Sequence, residues 1–435
     1  MKALLIQGGR IIDPAQGIDH AANLLVNEGK ISWLGRDTPP QEDYAVLPAE
    51  GLIVCPGFID LHCHLRQPGF EEKETIATGT QAAAYGGFTT VSCMPNTEPP
   101  LDSRESIDYV KSVAGEQGIV RVLPIGCVSR GRKGEELADL EELAKAGAIA
   151  FSDDGEPVSH AGLMLQALRY SRASGLPVID HCEAKDLTRE GQMNAGALAS
   201  RLGLRGIPAA AEEIIVFRDL ALAGLTGGHL HIAHVSTAGS AELIRMGREA
   251  GIKVTAEVTP HHLTLTEDSV NDYDTSAKVN PPLRTRRDIE ALIQGLKEGV
   301  IDIIATDHAP HTAKDKKCAF TRAAYGISGL ETAFGSLMSL VHSGQLPLAT
   351  LIARLTCGPA RILRDDTTGT LKVGTPADIT IFDPDKEWQV EPKTFASRGK
   401  NTPLAGAVLK GKVMATIFGG NLVYQDKTVK IEIRA

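Results

Sequence analysis

The 435-residue chain has no CxxC pair, no run of like charge, no low-complexity tract and no long apolar segment, and each absence removes a class of protein. Its seven cysteines, Cys55, Cys63, Cys93, Cys127, Cys182, Cys318 and Cys357, are odd in number. That argues for free thiols in a reducing compartment rather than a disulfide framework. The net charge of −9 is spread along the chain, which favours solubility and offers no footprint for nucleic acid. No segment approaches the roughly 18 uninterrupted apolar residues that a membrane span requires. The apolar stretch before Gly8 and Gly9 is too short for a secretory signal. The expectation is a cytoplasmic protein that binds neither nucleic acid nor membrane. With 43% hydrophobic and 23% charged residues, the chain can bury one large domain and a smaller one.

From residue 53 onward, apolar β-branched runs alternate with helical stretches: IVCPGFIDLH, GFTTVSCMPN, IVRVLPIGCV, AIAFSDDG, PVIDHC, GGHLHIAHVS, IKVTAEVTP and VIDIIATDHAP. Between them, segments such as ELADLEELAKAG, AGLMLQALRYSRASG and TAGSAELIRMGREAG repeat apolar residues three and four apart and close on glycine. Eight β/α units over roughly 300 residues predict a (β/α)8 barrel. The ends differ. Residues 1–52 and 370–435 carry short alternating strands (KALLIQGGRII, ANLLVNEGKISWLG, ADITIFDP, VLKGKVMATIFGG, NLVYQD) between Gly, Asp and Pro turns. They are expected to form one small, β-sandwich-like domain built from both termini, with the barrel at residues 53–369.

In such a barrel the reactive groups stand at the C-terminal ends of the strands. Five of the eight runs end in metal-ligand types: His62 with His64, Asp153 with Asp154, His181, His234 and Asp307. The spacing of two sends the His62 and His64 imidazoles to one side of an extended chain, and the same alternation turns Cys63 away. Neutral imidazoles with at least two carboxylates suit zinc. Alternation does not separate Asp153 from Asp154, because Gly155 interrupts the strand there. His229 and His231 face opposite to His234 and are read as structural, as are His261 and His262. The stretch HTAKDKKCAFTRAAYGISG after Asp307 reads equally as a cover for the site or as a solvated loop.

The ordered set HCHLRQPG, MPNT, FSDDG, VIDHC, HIAHVST, KVNPPLR and ATDHAPH, from about residue 50 to 365, resembles the motif series of class I bacterial dihydroorotases of the amidohydrolase superfamily. FSDDG, which has no lysine, is similar to their aspartate-bridged branch. The resemblance implies that His62, His64 and Asp307 hold one zinc, that His181 and His234 hold a second, and that Asp154 bridges them while Asp153 braces the loop. It further implies that Asp307 moves the proton. Arg66, Asn96, His311 and the backbone at Tyr325 and Gly326, together with His64 and Asn280, would hold the substrate. Tyr325 departs from the phenylalanine expected there. The activity implied is the reversible cyclisation of N-carbamoyl-L-aspartate to (S)-dihydroorotate, a step of pyrimidine biosynthesis.

Two other readings compete. A hydantoinase or allantoinase shares the HxH logic but goes with a lysine bridge. A non-catalytic scaffold for aspartate transcarbamoylase would have lost ligands, and here none is missing. The resemblance is compatible with a homodimer and with association with aspartate transcarbamoylase.

Overall fold

The computed structural model describes residues 3–40, 43–430 and 432–433, so Lys2, at the head of the run KALLIQGGRII, lies outside it. Eight short strands surround a central axis: Phe58–Cys63, Phe88–Cys93, Arg121–Pro124, Phe151–Ser152, Val178–Asp180, Leu230–Ile232, Val254–Val258 and Ile303–Ile304. The first three pair in parallel, as do the last five. Parallel bridges from Gly126 to Phe151 and from His308 to Cys63 join the two groups into a closed ring. Helices flank each step, and the fold is the expected (β/α)8 barrel.

Local chemistry explains where the helices begin and end. Thr75, Ser103 and Thr285 cap Ile76–Tyr85, Arg104–Gln117 and Arg286–Glu298 through reciprocal capping boxes. Gly147 and Gly175 close Leu140–Ala146 and Ala161–Ser174 in the left-handed conformation that side chains resist. An excursion the sequence did not announce follows Val178–Asp180. It contains the helix Ala197–Leu202 and a two-stranded parallel pair, Met193–Asn194 with Gly206–Ile207.

A nine-stranded sheet draws on both ends of the chain. Its path runs Asn421–Gln425, Val408–Phe418, Ile379–Gln389, Ile53–Pro56, Ala3–Asp13, Ile18–Asn27 and Lys30–Gly35, with Tyr44–Pro48 branching from Ala3–Asp13 and Glu432–Ile433 pairing with that branch. The run IVCPGFIDLH, read as one strand, is therefore two. Ile53–Pro56 belongs to this sheet, and the barrel begins at Phe58. Gly57 makes the break, since a side chain there would collide with Thr89.

The sheet has its own apolar core around Ile6, Leu24, Ile31, Val54, Ile381 and Ile417. Aromatic rings stitch it to the barrel. Phe334 lies 5.3 Å from Phe58 and 4.5 Å from Phe382, and Phe58 lies 5.7 Å from Phe88. All four rings are buried, so truncating the central one removes apolar burial and leaves a cavity. Phe58→Ala should destabilise the fold by about 3–5 kcal/mol, seen as a lower urea midpoint. An unchanged midpoint would mean that the seam contributes little.

Candidate active site

The first and eighth barrel strands deliver their ligand types together because their backbones are bonded at the C-terminal end. Asp307 N donates to His62 O, and His64 N donates to His308 O, both at 2.9 Å. Below them the buried Asp60 carboxylate accepts from the Thr306 amide at 2.8 Å and from its hydroxyl at 2.5 Å. Three site residues take positive φ: Arg66 (60°), His234 (32°) and Asp307 (45°). Side chains rarely adopt that region, and strain of this kind gathers where geometry is functional.

Asp154 stands at the centre. Its Oδ2 lies 3.5 Å from Nε2 of both His62 and His64, while its Oδ1 lies 3.6 Å from His181 Nδ1 and 3.4 Å from His234 Nε2. One carboxylate thus serves two histidine pairs, one with each oxygen. Asp307 Oδ1 approaches the first pair, 3.0 Å from His64 Nε2 and 3.6 Å from His62 Nε2. All six side chains are buried. His62 Nε2 and Asp154 Oδ1 have no hydrogen-bond partner, and buried polar atoms of this kind ask for a ligand. The sets His62, His64, Asp307 and His62, Asp154, His234 are each compact enough to hold a metal ion.

The outer nitrogens fix the rings. His62 Nδ1 donates to Glu257, His64 Nδ1 donates to Asn96 Oδ1 at 2.9 Å, and His181 Nε2 donates to Glu183 at 3.2 Å. Each bond aims the other nitrogen inward, and a ring that donates its outer N–H keeps the inner nitrogen for a metal, as ligation requires. Glu257 also meets His231 Nε2 at 3.2 Å. Against the cost of burial, His62 and His231 hold the Glu257 carboxyl down at about 2. His231 is therefore structural in position but lies one bond from a ligand's partner. His262 bonds Thr259 and the Pro281 carbonyl, bracing the turn that carries Asn280.

Asp153 and Asp154 separate cleanly. Asp153 turns away and accepts from the Val128 and Ser129 amides, each at 3.0 Å, and from the Ser129 hydroxyl. Arg132 donates to the carbonyls of Asp153 (3.0 Å) and Asp154 (2.6 Å). These bonds pin the backbone close enough for a short side chain to reach both histidine pairs. Cys63 and Cys182 point outward, toward Ser92 O and Asp180 respectively. A third acidic cluster, Asp180, Cys182 and Asp219, already holds a cation: Arg218 lies 2.7 Å from Asp219.

Above the histidines opens a cavity of about 240 Å³, lined by His64, Arg66, Asn96, Asp154, His181, His234, Asn280, Asp307, His311, Tyr325 and Gly326. The substrate-contact residues expected from the motifs thus all line this one cavity. Arg66 donates to the Pro310 carbonyl at 3.4 Å. Burial lowers its guanidinium to about 10 despite Asp307 and Asp154 nearby, and it remains charged at neutral pH. Burial, then Arg66 and Lys316, lower His311 to about 3, so it is neutral and donates from Nε2 to Tyr325 O at 2.7 Å. Neither the motif series nor periodicity pointed to Asn401. Its buried amide accepts from His311 N (2.8 Å) and donates to Ala309 O and Gly326 O, both at 3.0 Å.

Residues 51–240 match the family described as dihydro-orotase-like. A dihydroorotase of Caldanaerobacter subterraneus is 51% identical over 433 residues, covering 99% of this chain and 100% of its own. The chain belongs to the dihydroorotase family. A dihydroorotase of Citrifermentans bemidjiense is 49% identical over 97% of this chain and 99% of its own. In three dimensions an L-hydantoinase from Arthrobacter aurescens superposes with a TM-score of 0.88 over 99% of this chain and 98% of its own, at 26% identity. A dihydropyrimidinase from Brevibacillus agri, at 23% identity and TM-score 0.85, shares the fold. Dihydroorotases and their hydantoinase neighbours are metal-dependent cyclic amide hydrolases, and the histidine and aspartate sets fit that requirement. No helix among the described residues is long and apolar enough to cross a membrane.

Glu257→Gln keeps the shape but removes the charge behind His62. Loss of such a partner weakens metal binding by roughly 10- to 100-fold. The variant should therefore release metal to a competing chelator at correspondingly lower concentration. Equal retention would remove Glu257 from the centre.

Proposed function

We propose that the chain interconverts (S)-dihydroorotate and N-carbamoyl-L-aspartate with two zinc ions, one at His62, His64 and Asp307 and one at His181 and His234, with Asp154 shared. The observation that carries this reading is the division of Asp154 between two histidine pairs beside the Arg66 guanidinium, which lines the same cavity and has no carboxylate within ion-pair distance among the described residues. Ligand atoms around tetrahedral zinc, with bonds near 2.0–2.1 Å, stand about 3.3 Å apart. The six separations involving Asp154 and Asp307 run from 3.0 to 3.6 Å, which supports zinc.

Zinc bound there supplies Lewis acidity toward the ring amide carbonyl and brings the pKa of water to about 7. The remaining work falls to side chains. Asp307, beside His64 and open to the cavity, takes a proton from the attacking water. It returns that proton to the ring nitrogen as the C–N bond breaks, and the reverse order closes the ring. Arg66 offers a planar pair of donors to the ring's carboxylate. Asn96 and the Gly326 backbone border the same space, and Asn280 reaches toward the ring. A hydantoinase acting on neutral rings would have less use for a guanidinium in the cavity lining, and the relatives at about half identity are named dihydroorotases.

Chelation should abolish turnover of (S)-dihydroorotate and zinc should restore it. Metal content approaching two per chain would support the shared aspartate, and Asp154→Ala should lower that number. Arg66→Ala removes a buried charge contact worth about 2 kcal/mol or more, so kcat/KM should fall roughly thirtyfold or further. Full activity of Arg66→Ala on dihydroorotate would reassign the substrate to another cyclic amide.

A further inference from the structure

The substrate wall is made by two loops, one carrying Asn280 and the other carrying His311, Tyr325 and Gly326. Behind it are two buried lysines, Lys278 (2% exposed) and Lys316 (6% exposed). Among the described residues neither has a carboxylate within ion-pair distance. Lysine is seldom buried without such a partner, since desolvating an ammonium is costly. Burial pushes Lys278 down to about 8 and Lys316 to about 7.

Each lysine instead reaches across to the other's loop. Lys316 Nζ donates to the carbonyls of Thr275 (2.9 Å), Lys278 (3.3 Å) and Ala324 (2.7 Å), using all three of its hydrogens. Lys278 Nζ donates to Phe320 O at 2.7 Å and lies 4.4 Å from the centre of the Tyr325 ring. The backbones close the same joint. Gly326 N donates to Lys278 O at 2.8 Å, and Thr275 Oγ1 donates to Lys316 O at 2.7 Å.

We propose that Lys278 and Lys316 are positioning residues that clasp the two substrate loops into one rigid wall, holding Asn280, Tyr325 and Gly326 in register for the substrate. The reciprocal direction of the bonds carries this, because Lys316 donates to Thr275 and Lys278 on the opposite loop while Lys278 donates back to Phe320, and Lys316 holds Ala324 of its own loop as well. The stretch from His311 to Gly326 is then a fixed wall in the free protein rather than a solvated loop. The proposal rests on the reading of this cavity as the substrate site.

The test uses the full-length, metal-loaded protein. In the unaltered protein the Gly326 and Ala324 amides should exchange with solvent as slowly as barrel amides, and exchange at free-loop rates would overturn the proposal. Lys316→Met and Lys278→Met should each raise KM for dihydroorotate by about tenfold or more, a size expected when positioning groups shift by a fraction of an ångström. In both variants kcat and metal content should change little, and the Gly326 amide should lose its protection. A variant with unchanged KM, or with protection intact, would also overturn it. Should the unaltered protein not turn over dihydroorotate at all, the substrate reading fails, while the exchange data still decide whether the clasp exists.

Discussion

The site depends on a single carboxylate held between two pairs of imidazoles in the barrel mouth. Asp154 is buried, as are the four histidines around it, so these groups depend chiefly on one another to stabilise charge. Each carboxylate oxygen faces its own pair of nitrogens. That divided allegiance puts one short side chain in reach of both pairs, and much of the surrounding structure keeps the side chain where it is.

The supports are of two kinds. Carboxylates and an amide behind the rings, Glu257, Glu183 and Asn96, orient His62, His181 and His64 so that the other nitrogen faces inward. Backbone restraints then fix the level of the strand ends. Arg132 holds the two carbonyls at the fourth strand, Asp153 ties that strand to the third, and Asp60 ties the first to the eighth. A shared aspartate tolerates little slack, because it lacks the reach of a long side chain.

The cavity wall draws on parts of the chain far apart in sequence. Asn401, in the segment leading into the terminal sheet, spends its whole amide on His311, Ser328, Ala309 and Gly326. The sheet is therefore not an appendage. The rings of Phe382, Phe334 and Phe58 join it to the barrel, and the chain between two of its strands returns to brace residues facing the cavity.

The sequence by itself determined the eight β/α units and the ligand types at five strand ends. Both are local: alternation along a strand and three-to-four spacing along a helix are written in neighbouring residues. It also separated inward His62 and His64 from outward Cys63. Alternation left Asp153 and Asp154 unseparated, because a turn beside Gly155 has no periodicity to read; the motif resemblance favoured Asp154, and its side chain is the one that faces the histidines. Tertiary structure alone divided IVCPGFIDLH between two sheets, since Gly57 is required by a neighbour 32 residues away, Thr89. It also gave Glu257, Asn401, Lys278 and Lys316 their tasks. In sequence these are a glutamate in a strand, an asparagine in a turn and two ordinary lysines. Only barrel closure buries them beside their partners, and burial turns a polar side chain into a structural constraint.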